Sequence, residues 1–113
     1  MRVIKKIAHD HPEIVERATK VFLEEAATVV KGQAKRLVPV DTGNLKGSIT
    51  SRVEGWEAIV GTNVEYAEYV EYGTRNKLEQ SFLRAAIDIT RKSLVRRYLI
   101  RLQEEWKNRR QRG

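Results

Sequence analysis

His9 and His11 and the carboxylates Glu24, Glu25, Glu65, Glu68 and Glu71 are the side chains of this sequence whose type and spacing bear on chemistry. The two histidines stand two residues apart, ahead of a helical stretch, with no third ligand signalled. An i, i+4 spacing would be needed to put two imidazoles on one helical face. They read as exposed N-terminal residues. Glu24 and Glu25 lie inside a helical pattern, where a solvated face accounts for them. Glu65, Glu68 and Glu71 recur every third residue and are expected to form an acidic surface edge. A general acid–base pair would instead need two carboxylates held apart by environment in a pocket. Cysteine is absent, which removes disulfides, thiolate metal sites, iron–sulfur clusters and cysteine nucleophiles together. No Gly-rich phosphate loop, nucleophile elbow or Ser/His/Asp set occurs. The expectation is a protein without catalytic activity, cofactor or metal.

The elements that carry these residues follow from periodicity. Val3, Ile4 and Ile7 share helical spacing and make residues 1–9 a short arm with an apolar edge. A helix is expected over 10–37: Asp10 and Glu13 read as a capping box, and Pro12 suits a first turn. Ile14, Ala18, Phe22, Ala26, Val29 and Val30 form its apolar stripe, widened by Val15, Val21 and Leu37. Pro39 drives Val38 out of helical dihedrals and ends the helix near Leu37. Residues 44–79 are expected to hold a small antiparallel sheet and a short helix. Leu45, Ser48–Val53 and Ala58–Thr62 read as strands, with a turn at Glu54-Gly55. Tyr66, Tyr69 and Val70 return to helical spacing, and Gly73 is placed to close that helix in a left-handed conformation. Over 80–108 a long basic helix is expected, with Leu83, Ile87, Leu94, Tyr98, Leu102 and Trp106 in one stripe and Phe82, Ala86, Val95 and Leu99 beside it. Its far end, with Trp106 and the arginines, is expected to project from the body. The fold class is α+β in a single domain, 1–113: a long N-terminal helix, a small antiparallel sheet with a short helix, and a long C-terminal helix.

At 113 residues, 41% hydrophobic and 33% charged, the chain supports one modest core and excludes a two-lobed enzyme. No apolar run approaches the roughly 20 residues that span a bilayer, and the first residues lack a signal-peptide core, so a soluble intracellular domain is expected. The net charge of +7 resides wholly in residues 91–113; residues 1–90 are balanced. Arg91, Arg96, Arg97, Arg101, Arg109, Arg110 and Arg112 therefore make a C-terminal end that suits an acidic protein partner, a nucleic-acid backbone or plain solvation. Tyr66, Tyr69 and Tyr72 suit both cores and subunit contacts.

Three strings carry more than composition: VPVDTGNLKGSI from Val38 to Ile49, VGTNVEYAEYVEYGT from Val60 to Thr74, and QSFLRAA from Gln80 to Ala86. Together, over about Glu13 to Leu94, they resemble the HK97 gp10-like family of tailed-phage and prophage structural proteins, which join head to tail. In that family a long helix leads into a "PVDTG-L-S" corner. A strand pair, a "Y-A-V-E-GT" segment and a "PFLRPA" helix start then follow. Ser81 and Ala85 stand here where the family usually has proline, and the stretch between Thr74 and Phe82 is shorter than the family's.

The corner residues Pro39, Asp41, Thr42, Gly43 and Leu45 then set the angle between helix and sheet or form a contact loop, with Gly43 allowing a sharp reversal into the strand. The resemblance implies a virion protein of the neck, assembled in the host cytoplasm. It would form a homo-oligomeric ring of six or twelve copies that contacts connector or portal-side and tail-tube proteins. No membrane is involved, and non-specific DNA contact is an accessory expectation. Glu65, Tyr66, Glu68, Tyr69, Glu71, Tyr72 and Gly73 are the candidate interface, with the acidic edge meeting Arg91, Arg96, Arg97 and Arg101 of a neighbour. A nucleic-acid-binding module acting through the C-terminal helix is the alternative.

Overall fold

The computed structural model describes residues 11–39, 43–64, 66–73 and 81–112. The N-terminal arm, His9, Asp10, Asp41, Thr42, Glu65 and the segment 74–80 lie outside them. The element order is α1 (Pro12–Leu37), α2 (Gly43–Ser48), β1 (Thr50–Glu54), β2 (Glu57–Gly61), α3 (Ala67–Tyr72) and α4 (Leu83–Arg112). This is the expected α+β architecture.

α1 starts and stops where proline chemistry dictates. Pro12 opens the helix, where its missing N–H has no helical partner, and Glu13 complements the dipole in the first turn. The N-cap is His11, which makes no side-chain capping bond, and the Asp10 of the expected capping box lies outside the described residues. At the other end Val38 is extended (φ −63°, ψ 135°), as the residue before proline must be, and its N–H closes on the Ala34 carbonyl at 3.2 Å.

The corner that follows differs from expectation. Residues 43–48, GNLKGS, form the short helix α2 and not the start of a strand. Leu45 and Ile49 are four residues apart and both lie in the core, at 0% and 1% exposure. Either period puts an i, i+4 pair on one face, so both side chains reach the core whether the backbone is extended or, as here over 43–48, helical. Gly43 accordingly heads a helix rather than reversing into a strand. The Ser48 hydroxyl donates to the Leu45 carbonyl at 2.7 Å and accepts from Thr62 Oγ1 at 2.5 Å, tying α2 to the end of β2.

β1 and β2 pair antiparallel from Thr50↔Gly61 to Glu54↔Glu57 through a two-residue turn, Gly55-Trp56. Gly55 takes φ +55°, which a side chain would resist. The hairpin packs on α1. α3 begins at Tyr66 and ends at Gly73, whose φ is positive (79°) as expected but whose ψ of 175° is extended rather than left-handed helical.

α4 is the longest element, 30 residues, about 45 Å at 1.5 Å per residue, in a molecule 60 Å long. It runs antiparallel to α1, as three contacts show: Glu25 with Arg97 and Arg101, Phe22 edge-on to Tyr98 at 4.9 Å, and Glu13 with Arg109 at 3.7 Å. Trp106 does not project. It lies against His11, ring centroids 5.1 Å apart, at the start of α1. The α1 helix supplies the length that a small globular body lacks.

The core collects where the elements converge: Val30, Ala34, Val38, Leu45, Ile49, Ala67, Phe82 and Ala86. Alanines at 18, 26, 27, 34 and 86 let the helices approach closely. The two apolar stripes are only partly used. Ile87 and Val95, expected inside, are 48% and 56% exposed. Ala86 and Thr90 occupy the inward line of the first turns of α4, and Ile87 lies about 100° round from Ala86, at the rim.

Candidate assembly interface

The junction of α3 and α4 is the most constrained polar site among the described residues. α3 presents Ala67 and Glu71, four residues apart, to the interior; both are buried. Glu71 is 3% exposed and points at the first turn of α4, whose leading N–H groups have no helical partner. Its Oε1 accepts from the backbone N–H of Phe82 at 3.1 Å and of Leu83 at 2.8 Å. Its Oε2 accepts from the Ser81 hydroxyl at 2.7 Å, the Arg84 N–H at 3.3 Å and Arg84 Nε at 2.8 Å. Arg84 Nη2 also donates to the Glu71 carbonyl at 3.0 Å. Burial alone would push this carboxyl up. The bonds from Arg84, Ser81, Leu83 and Phe82 outweigh it and lower the pKa from 4.5 to about 2.

One expected feature is thereby corrected. Glu71 is turned inward as the cap of α4 and is not part of an acidic surface edge; Glu68 is exposed, and Glu65 lies outside the described residues. The family's usual prolines are replaced by a hydrogen-bonded pair, since the Ala85 N–H donates to Ser81 Oγ at 3.3 Å. Proline at 81 would supply no hydroxyl and proline at 85 no N–H, so the two replacements depend on each other.

The tyrosines lie on the opposite side of α3 from the latch. Tyr66 is 37% exposed, Tyr69 61% and Tyr72 63%, so Tyr66 and Tyr69 are not core residues. The interior positions are taken by Ala67, Val70 and Glu71. The Arg84 guanidinium, already bonded to Glu71, sits 5.0 Å from the centre of the Tyr72 ring and fixes one wall of that surface.

A second uncovered surface runs along α4. Ile87, Leu94, Val95, Tyr98 and Leu99, with Phe22 from α1, line an apolar trough of about 420 Å³ in which Arg91 is the charged residue. A neighbouring hollow of about 380 Å³, between α1, β2 and α4, shares Ile87 and continues the apolar lining through Leu83 and Val60. Periodicity gives the apolar stripe of α4 but not which part of it α1 and the hairpin leave uncovered.

The basic run is largely used inside the chain. Arg101 and Arg97 pair with Glu25, which is therefore no free solvated carboxylate, and Arg101 also pairs with Glu104. Arg109 pairs with Glu13 and lies 5.6 Å from the Trp106 ring. Arg91 pairs with Asp88 at 3.3 Å with both side chains 70% exposed. Arg96 is exposed, and Arg110 and Arg112 fall in the last turn of α4. Arg97 and Arg101 thus hold α4 to α1.

Among the described residues no group of three or more metal-ligating side chains could hold a metal ion, and no helix is long and apolar enough to cross a membrane.

A family model described as "Bacteriophage HK97-gp10, putative tail-component" matches residues 2–73. No curated protein and no solved structure is a match to this chain. The matched span starts earlier and ends earlier than the strings quoted above suggest. It takes in α1, the corner, the hairpin and α3, and leaves Ser81, Ala85 and all of α4 beyond it. A match over that share of the sequence, carrying the VPVDTG corner and the tyrosine-rich α3, places the chain in the HK97-gp10-like family of bacteriophage tail-component proteins.

Proposed function

We propose that this protein joins the head connector of a tailed phage or prophage-like particle to the tail, as a homo-oligomeric ring of six or twelve copies, and that it catalyses no reaction. Its family supplies the setting, a structural part of a phage tail. The observation that carries the reading is the surface the chain leaves open. Tyr69 and Tyr72 stand more than 60% exposed on α3, and an apolar trough runs along α4, on a molecule whose own core is already closed. Contiguous exposed apolar and aromatic surface of this kind marks contacts with other chains. A closed ring requires two different patches meeting around a rotation axis, and the chain offers two. The neighbours in the neck would be connector or portal-side and tail-tube proteins.

DNA passing the neck would meet exposed Arg96, whereas Arg97, Arg101 and Arg109 already have carboxylate partners. This makes DNA contact an accessory property.

The deciding experiment has two arms. Native mass spectrometry of the purified chain should record a discrete oligomer of six or twelve. Deleting the gene from its phage should give filled heads and separate tails. Tailed, infectious particles lacking the protein would refute the joining role.

A further inference from the structure

Two uncovered surfaces of this chain complement each other. The outer face of α3 is convex and aromatic, with Tyr69 and Tyr72 beside exposed Glu68. α3 contains no basic residue, and the Arg84 guanidinium that lies on the Tyr72 ring is matched by Glu71, so the remaining charge of this face is that of Glu68. The trough is concave and apolar, and its one charged lining residue, Arg91, is a cation. The present partner of Arg91 is Asp88, in a fully solvated pair of the kind that contributes little and exchanges readily.

The surfaces cannot meet within one molecule. Glu71 pins α3 to residues 81–84, while the trough runs from Ile87 to Leu99, its midpoint near Leu94 about 15 Å further along α4. The same latch holds the tyrosine face in a fixed pose, which removes ordering cost from any contact it makes.

We propose that Glu68, Tyr69 and Tyr72 of one copy seat in the α1–α4 trough of the next copy, with Glu68 meeting Arg91. This pairing rests on the ring reading above and specifies which patches form it. Tyrosine suits the position: its ring fills an apolar hollow while its hydroxyl stays at the wet rim. The contact joins two different surfaces, so repetition closes a ring or extends a filament instead of stopping at a dimer. Two buried tyrosines supply roughly 300–500 Å², short of the roughly 800 Å² per partner of a standard interface, so each contact is modest alone. In a closed ring each copy makes it twice.

The absence of cysteine makes the test direct. Tyr69→Cys and Val95→Cys replace side chains that are 61% and 56% exposed, so both variants should keep the wild-type circular dichroism spectrum. Each is treated with a short bismaleimide alone and then mixed with the other. The proposal expects a cross-linked dimer from the mixture, little from either variant alone, and a ladder of covalent oligomers from the double variant. Adding Arg91→Glu to the Val95→Cys chain should lower the mixed yield several-fold, and Glu68→Arg on the other chain should restore part of it. If oligomers form but the mixture does not cross-link, or if Val95→Cys cross-links chiefly to itself, the pairing is wrong and the ring reading survives. If wild-type protein stays monomeric and no mixed product appears, both fall together.

Discussion

Removing the charge of Glu71 is the most informative single change to this fold. Glu71→Gln keeps the size and one carbonyl acceptor but gives up the second carboxylate oxygen. That oxygen accepts from Ser81 and from the backbone and Nε of Arg84; the other accepts from Phe82 and Leu83. An amide cannot satisfy this set, because its NH₂ group faces other donors. The fall in pKa from 4.5 to about 2 measures how much the fold favours the ionised form. At 1.36 kcal/mol per unit this corresponds to about 3 kcal/mol. Cutting one partner from a buried charged pair costs a similar amount, roughly 3–5 kcal/mol. Glu71→Gln should therefore cost about 3 kcal/mol at pH 7, enough to lower the melting temperature by on the order of 10 °C for a chain of this length.

The pH dependence carries the sharper test. The folded pKa lies below the unfolded one, so folding favours the deprotonated form. The contribution is complete above about pH 4.5 and is lost as pH falls toward 2. Urea unfolding of wild type and Glu71→Gln, followed by far-UV circular dichroism from pH 7 to pH 2.5, should show a gap that narrows with acidity. A gap under 0.5 kcal/mol at pH 7, or one unchanged at pH 2.5, would refute the latch.

Three further outcomes follow from single contacts. Gly73→Ala places a Cβ where φ is 79° and ψ 175°, a region essentially restricted to glycine, and should cost about 1–3 kcal/mol by urea titration. Tyr98→Phe removes a hydroxyl held 2.6 Å from Thr19 Oγ1 between α1 and α4; the loss should be about 1 kcal/mol, measured by the urea midpoint. Phe82→Ala empties the largest fully buried side-chain site and should lose roughly 3–5 kcal/mol, leaving a marginal protein with a broadened thermal transition.

Much of this fold is legible in local rules, and what is not belongs to contacts between distant parts. The end of α1 at Leu37, the hairpin and the stop at Gly73 each follow from one proline, one alternation and one glycine. The short helix α2 was obscured because its six residues include two glycines and a serine, a composition that also suits a turn. The i, i+4 pair Leu45 and Ile49 fits a helix and a strand alike, so periodicity does not separate this short helix from the strand pattern after it. The inward turn of Glu71 was hidden differently. A spacing of three says that Glu68 and Glu71 are near neighbours on a helix; it does not say which faces inward. The readable clue was Ala67, a small residue four before Glu71 on the same face, together with an α4 start whose N–H groups needed an acceptor. Likewise the division of the arginines into internal and free ones depends on α1 lying antiparallel to α4, which no local pattern encodes.

The Glu71 contacts also join the part of the chain that the family model matches to the part that it does not. The family match ends at Gly73, and the carboxylate that caps α4 stands two residues before that limit. Everything α4 does, from clasping α1 through Glu25 to exposing the trough, depends on where its first turn is fixed. A proline-led start would begin that helix with fewer N–H groups to satisfy. Here Ser81 and Ala85 bond to each other, Ser81 also donates to Glu71, and the N–H groups of the first turn converge on one buried carboxylate. The direction in which α4 leaves the body is thereby set by a side chain of α3, the helix that also displays the tyrosines. The tyrosine face and the trough are therefore tied to each other through one buried carboxylate, and the proposed contact between copies would need that fixed relation to close.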